Sequence, residues 1–176
     1  MFVARLVEGF TSVDLDYAFT GALAASFYGV PRTTGDVDVL VKVPSEAGLK
    51  SKVATALRNA GVEVDETKID EALVSGYNIA TFCDKASPYT VDVIFSVEPV
   101  EKQVGTVAGL KTFLQSPEAL ILAKLRMIKA TLPRERAAKD EEDVRAILTF
   151  CKVDVETLKK RAKQDKTLTV FDALTR

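Results

Sequence analysis

The stretch Gly35-Asp36-Val37-Asp38-Val39-Leu40-Val41-Lys42-Val43 constrains this chain more than any other. Val37, Val39, Val41 and Val43 recur with a period of two, so they line one face of a strand, and β-branched side chains there ask for a buried sheet. The same period puts Asp36 and Asp38 together on the opposite face. Two carboxylates at i and i+2 repel unless a cation or a proton lies between them, which makes the pair costly to hold and natural for a metal. Two acids at a fraying strand start, in water after a loop, would give the same pattern.

Around this strand the sequence sets out a layered order. Asp16 to Thr20 reads as a short strand and Gly21 to Tyr28 as a helix of small residues, ahead of the turn-rich Pro31-Arg32-Thr33-Thr34-Gly35. A helix is expected over Glu46 to Ala60 with Gly61 as its C-cap, then a short extended segment at Val62 to Val64 and a helix near Ile69 to Val74. Tyr77 to Phe82 and Thr90 to Phe95 read as neighbouring strands, and Gln103 to Leu114 is β-rich and turn-prone. Ser116-Pro117-Glu118 opens a helix to about Thr131, with serine as N-cap, proline at the first position and an acid in the first turn. Further helices are expected over Arg136 to Cys151 and from Val155. The layout is an α/β (α+β) core over residues 1–114 and a helical tail over residues 115–176 packed on it.

Composition narrows the chemistry. The 176 residues hold no histidine, and Cys83 and Cys151 lie far apart, so imidazole or thiolate zinc cages and His-dependent nucleophilic units are excluded. Acid–base or metal chemistry falls to carboxylates, which favour hard cations. The net charge of −1 conceals a split, −6 over residues 1–100 and +5 over residues 101–176. No stretch approaches the roughly 18 apolar residues of a membrane helix, and MFVARLVEGF lacks the order of a secretory signal. The expectation is a cytoplasmic protein with reduced thiols and no membrane partner.

Three further features bear on the aspartate pair. Asp92 interrupts the apolar Val91-Asp92-Val93-Ile94-Phe95 and would be expensive inside a sheet without a partner. Beside the strand of Asp36 and Asp38 it completes a set of three carboxylates, the equipment for one or two Mg²⁺ (or Mn²⁺) ions at a phosphorus centre, with Asp92 as general base. On the solvated face of a one-sided sheet it needs no such role. Gly21-Ala22 leads a strand into a helix through small residues, which allows backbone N–H groups to approach an anion and equally allows tight packing. Lys124 stands among Leu120, Ile121, Met127 and Ile128, so its ammonium either snorkels out or points at phosphate or carboxylate. From Lys124 to Lys139 six basic residues face Glu135 alone, a surface suited to a polyanion or to water.

Gly21-Ala22, a helix, then Asp36-Val37-Asp38 resembles the signature of the DNA polymerase β-like nucleotidyltransferase superfamily. The fuller G-A-L-A-A-S-F-Y-G-V-P-R-T-T-G-D-V-D-V, with the later K-L-R-M and R-A-A-K-D-E-E-D-V, is similar to its minimal AbiEii-type (abortive infection) branch. That resemblance implies a nucleotidyltransferase fold and transfer of a nucleoside monophosphate from an NTP to a hydroxyl on RNA (tRNA), protein or a small molecule. It implies a cognate antitoxin as a partner. Gly21, Ala22, Arg32, Lys124 and Lys139 would contact the nucleotide, Lys139 with Asp140 and Asp143 matching K-D-x-x-D, and Asp36, Asp38 and Asp92 would ligate Mg²⁺. Ala22 stands where the family commonly has Gly or Ser. A phosphatase of the haloacid dehalogenase type also uses D-x-D, but there the acids leave a buried strand, whereas here the valines follow them. A module of the same fold that binds nucleotide or RNA without turnover is the alternative.

Overall fold

Val37, Val39 and Val41 are buried and Asp36, Asp38, Leu40 and Lys42 alternate with them on the other face, so the strand at Asp36–Lys42 sits as its period dictates. This is a computed structural model, and it describes residues 1–31, 33–43, 47–133 and 137–175. Along the chain run α1 (Phe2–Thr11), β1 (Tyr17–Phe19), α2 (Gly21–Phe27), β2 (Asp36–Lys42), α3 (Leu49–Asn59), α4 (Glu66–Val74), β3 (Ile79–Cys83), β4 (Thr90–Ser96), β5 (Lys102–Val107) and β6 (Leu110–Gln115). These are followed by α5 (Pro117–Ala130), α6 (Ala138–Phe150), α7 (Val155–Gln164) and α8 (Leu168–Leu174). The chain divides into two compact units, residues 1–23 with 33–115, and residues 24–32 with 116–176.

The first unit holds one six-stranded mixed sheet in the order β3-β4-β2-β1-β6-β5. β2 runs parallel to β4 and antiparallel to β1, β6 is parallel to β1, and β3 and β5 lie antiparallel at the two edges. The valine faces of β2 and β4 bury Val39, Val41, Val91 and Val93, in a unit whose helices α1, α3 and α4 bury Leu6, Phe10, Val53, Leu57 and Ile69. α1 was not among the elements expected, although Phe2, Leu6 and Phe10 recur at helical spacing and are all buried. Arg5 on α1 donates from Nε to the carbonyl of Ala60 and pairs with the buried Asp84. Burial pushes the Asp84 carboxyl up, but hydrogen bonds from Ser87 and Arg5 outweigh it and hold the group below the usual carboxylate range. Val62 forms a single bridge to Asp84 where a short extended segment was expected. The turn between β5 and β6 is made by Ala108 and Gly109, both with positive φ.

In the second unit α5 begins as its sequence predicts, with Ser116 Oγ accepting from the Ala119 N–H and Pro117 in the first turn. Leu120, Ile121, Leu122, Leu125 and Ile128 of α5 are buried, as are Val144 and Ile147 of α6, Leu158 of α7 and Phe171 of α8. Residues 24–32 belong here, and the Cys151 thiol faces the carbonyl of Tyr28. α8, a seven-residue helix, is a second element absent from the expected order. Glu46 and Arg136, where two helices were expected to begin, lie outside the described residues; the described helices begin at Leu49 and Ala138. Among the described residues no helix is long and apolar enough to cross a membrane.

Candidate functional site

The aspartates come together through register. β2 and β4 pair in parallel from Asp36 opposite Thr90 to Lys42 opposite Ser96, which sets Asp38 directly beside Asp92. Strand period keeps Asp36 on the same face as Asp38, so all three carboxylates rise from one side of the sheet while the valines fill the other. Asp38 and Asp92 are half-buried and Asp36 is exposed.

Asp38 is enclosed from the β1 side. The Thr20 N–H donates to the Asp38 carbonyl at 3.0 Å, and the next residue, Gly21, turns the chain into α2 with φ of 57°. A Cβ built on Gly21 would fall on the Asp38 carboxylate, within 2.8 Å of its carboxyl carbon. Glycine is thus needed twice, for a left-handed backbone and for the close approach of Asp38. Thr20 is buried and its hydroxyl donates to Gln115 Oε1 at the end of β6, which ties the turn to the sheet. Gly21→Ala is expected to cost about 1–2 kcal/mol from backbone conformation alone and to displace the Asp38 side chain. Chemical denaturation of the variant checks this, and a loss near zero would show that the turn is not held as described.

The outer two carboxylates are each held by a threonine. Asp36 Oδ1 accepts from the Thr34 hydroxyl, and Asp92 Oδ1 accepts from the Thr81 hydroxyl across the β3–β4 pair at 2.6 Å. Neither threonine stood out in the sequence, because Thr81 becomes a neighbour of Asp92 only once β3 is placed beside β4. Among the described residues no three acid or thiol side chains, as oriented, form a metal cage. The donor set nevertheless suits a hard divalent cation: three carboxylates on one face, two of them in register, with the outer pair engaged through Oδ1.

The basic residues fall in different places. Lys124 is only 6% exposed, and its Nζ lies 2.9 Å from Asp140 Oδ1 and 2.6 Å from Asp143 Oδ2. Of the destinations open to its ammonium, carboxylate is the one found. Asp143 itself is 1% exposed. Lys139 is exposed in the first turn of α6, and the Ala22 side chain is buried, so that residue has only its backbone to offer a ligand. Arg32 lies outside the described residues, as do Arg134 and Arg136 of the basic run.

No protein-family model matches the sequence, and no curated protein does. Solved structures do. The solution structure of the antibiotic-resistance factor ANT(2'')-Ia is 17% identical, with a TM-score of 0.65 over 99% of this chain and 96% of that one. The crystal structure of ANT(2'')-Ia in complex with adenylyl-2''-tobramycin is 15% identical, with a TM-score of 0.61 over 99% and 97%. An antigenic nucleotidyltransferase-like protein from Paracoccidioides brasiliensis is 15% identical, with a TM-score of 0.60 over 96% and 91%. At this identity the likeness is one of fold, and the fold is that of nucleotidyltransferases.

Proposed function

We propose that this chain transfers a nucleoside monophosphate from an NTP to a hydroxyl acceptor, in a reaction dependent on Mg²⁺ or Mn²⁺. The observation that carries the reading is the in-register pair Asp38 and Asp92, with Asp36 two residues along and Gly21 closed against Asp38. Asp36, Asp38 and Asp92 would hold the ion, whose contribution when bound is to neutralise charge on the phosphates. Asp92, nearest the edge strand, takes the proton of the acceptor hydroxyl. The hydroxyl oxygen bonds to the α-phosphorus as the bond from that phosphorus to the bridging oxygen breaks, and pyrophosphate leaves with that electron pair. Positioning and charge neutralisation supply most of the rate in such transfers.

The Gly21 turn and the backbone of Ala22 would approach the phosphates, and Lys139, exposed on α6, is a nucleotide contact by the sequence motif alone. Arg32 is a nucleotide contact by sequence alone. Lys124, also a nucleotide contact by the sequence motif, is engaged by Asp140 and Asp143. One similar structure holds adenylyl-2''-tobramycin, which supports NMP transfer to a hydroxyl as the class of reaction. The AbiEii-type branch, RNA or protein as acceptor and an antitoxin partner rest on the sequence motifs alone. A module that binds nucleotide or RNA without turnover is favoured by one observation, that among the described residues no three acid side chains, as oriented, enclose a cation site.

Two measurements separate these readings. Mg²⁺ with NTP is expected to raise Tm of the wild type and to leave Asp38→Ala unmoved; no shift at millimolar Mg²⁺ removes the nucleotide site. Incubation with each α-labelled NTP, tRNA and lysate is expected to label an acceptor. A Tm shift without any labelled product or pyrophosphate would favour the binding module.

A further inference from the structure

We infer that Thr81 is a positioning residue for Asp92, its hydroxyl fixing the carboxylate that the transfer reaction needs beside Asp38. The inference rests on the metal-dependent reading above and adds to it a residue on the edge strand.

Asp92 lies between two neighbours of opposite effect. On β2 its register partner is Asp38, a like charge on an adjacent strand that pushes the two carboxylates apart. On β3 its register partner is Thr81, whose hydroxyl donates to Asp92 Oδ1 at 2.6 Å. Among the described residues Thr81 is the one hydrogen-bond donor to this carboxylate. The terminal torsion of an aspartate is broad, so that bond is what selects the orientation of the carboxylate against the repulsion. With Oδ1 held toward the edge strand, Oδ2 is left for an ion or for the acceptor proton. Thr81 is itself held from behind, since Lys68 Nζ on α4 donates to its carbonyl at 3.2 Å. The Thr34 bond to Asp36 differs, being a contact two residues apart within one turn, whereas the Thr81 bond spans 11 residues and depends on the sheet.

A ligand-orienting partner of this kind commonly contributes ten- to a hundredfold to metal affinity. The test is titration of the full chain with Mn²⁺ alone, followed by the electron paramagnetic resonance of free Mn²⁺, with no nucleotide present. Thr81→Val, which keeps the side-chain shape, is expected to weaken Mn²⁺ binding about tenfold. Thr81→Ser is expected to restore it, and Thr81→Ala to follow Thr81→Val. In NTP turnover, Thr81→Val should lower kcat and leave KM for NTP within about twofold, a split that loss of transition-state positioning alone produces. Circular dichroism melts verify that each variant is folded, and the Ala and Ser pair carries the comparison if Val distorts the strand. If Thr81→Val and Thr81→Ala bind Mn²⁺ as the wild type does while Asp92→Asn does not, Thr81 has no positioning role and the transfer reading stands. Serine failing to restore binding overturns the role as well, since the hydroxyl is then not the cause. Absence of Mn²⁺ binding by the wild type at millimolar concentration overturns the transfer reading and the role of Thr81 with it.

Discussion

Lys124→Met is expected to destabilise the fold by about 3–5 kcal/mol, a fall in Tm of roughly 6–20 °C for a chain of this length. The reason is asymmetry. With the lysine in place, its ammonium faces Asp140 at 2.9 Å and Asp143 at 2.6 Å, and the latter is almost wholly buried. Methionine fills the same volume beside Leu120, Ile121 and Ile128, so packing is nearly unchanged. What it leaves is the buried Asp143 carboxylate and the partly exposed Asp140 carboxylate without the ammonium they share. Removing one partner of a buried ion pair costs far more than the pair contributes, because the remaining charge keeps its desolvation penalty. Lys124→Met combined with Asp143→Asn should therefore recover more than half of the loss. Urea denaturation followed at 222 nm measures both. A single-variant loss under about 1 kcal/mol, within the range of exposed pairs, would sink the assignment of this cluster as a buried clamp.

The clamp shows where sequence stops short. A cation in the middle of an apolar helical face was legible from Leu120, Ile121, Met127 and Ile128 around Lys124. Its destination was not, because Asp140 and Asp143 reach it only through the packing of α6 on α5. The strand at Asp36–Lys42 was legible down to its faces, since a period of two leaves little choice once three valines share a side. That Asp92 stands beside Asp38 followed only if β4 paired with β2, and pairing order is a property of the whole sheet. Gly21 was read as room for a phosphate or for tight packing; the carboxylate of Asp38 is the group that lies against it. α1 carried a helical signal in Phe2, Leu6 and Phe10 that a reading of the N-terminus for a leader alone passes over. α8 has seven residues, too few for a period to declare itself.

Asp38→Asn is expected to leave stability almost unchanged and to remove most of the transfer activity. The side chain stays close to its original size beside Gly21, and the backbone bond from the Thr20 N–H to the residue 38 carbonyl does not involve the side chain. Folding is therefore untouched by the change in shape. The change in charge relieves the repulsion with Asp92 in the neighbouring register position and with Asp36 two residues away while weakening the favourable contacts of the carboxylate, so stability of the ligand-free protein should move by less than about 1 kcal/mol. Transfer should fall about a thousandfold or more, the equivalent of about 4 kcal/mol in the barrier, because the central carboxylate of the three is gone and the charge of the phosphates is left less neutralised. A residue kept for function gives this split, and a structural aspartate gives the reverse, lower stability with little change in rate. Melts without ligand and single-turnover NMP transfer on the same preparation distinguish the two. If Tm falls and the rate of transfer holds, Asp38 is a structural residue and the carboxylate face of the sheet is not the reaction centre.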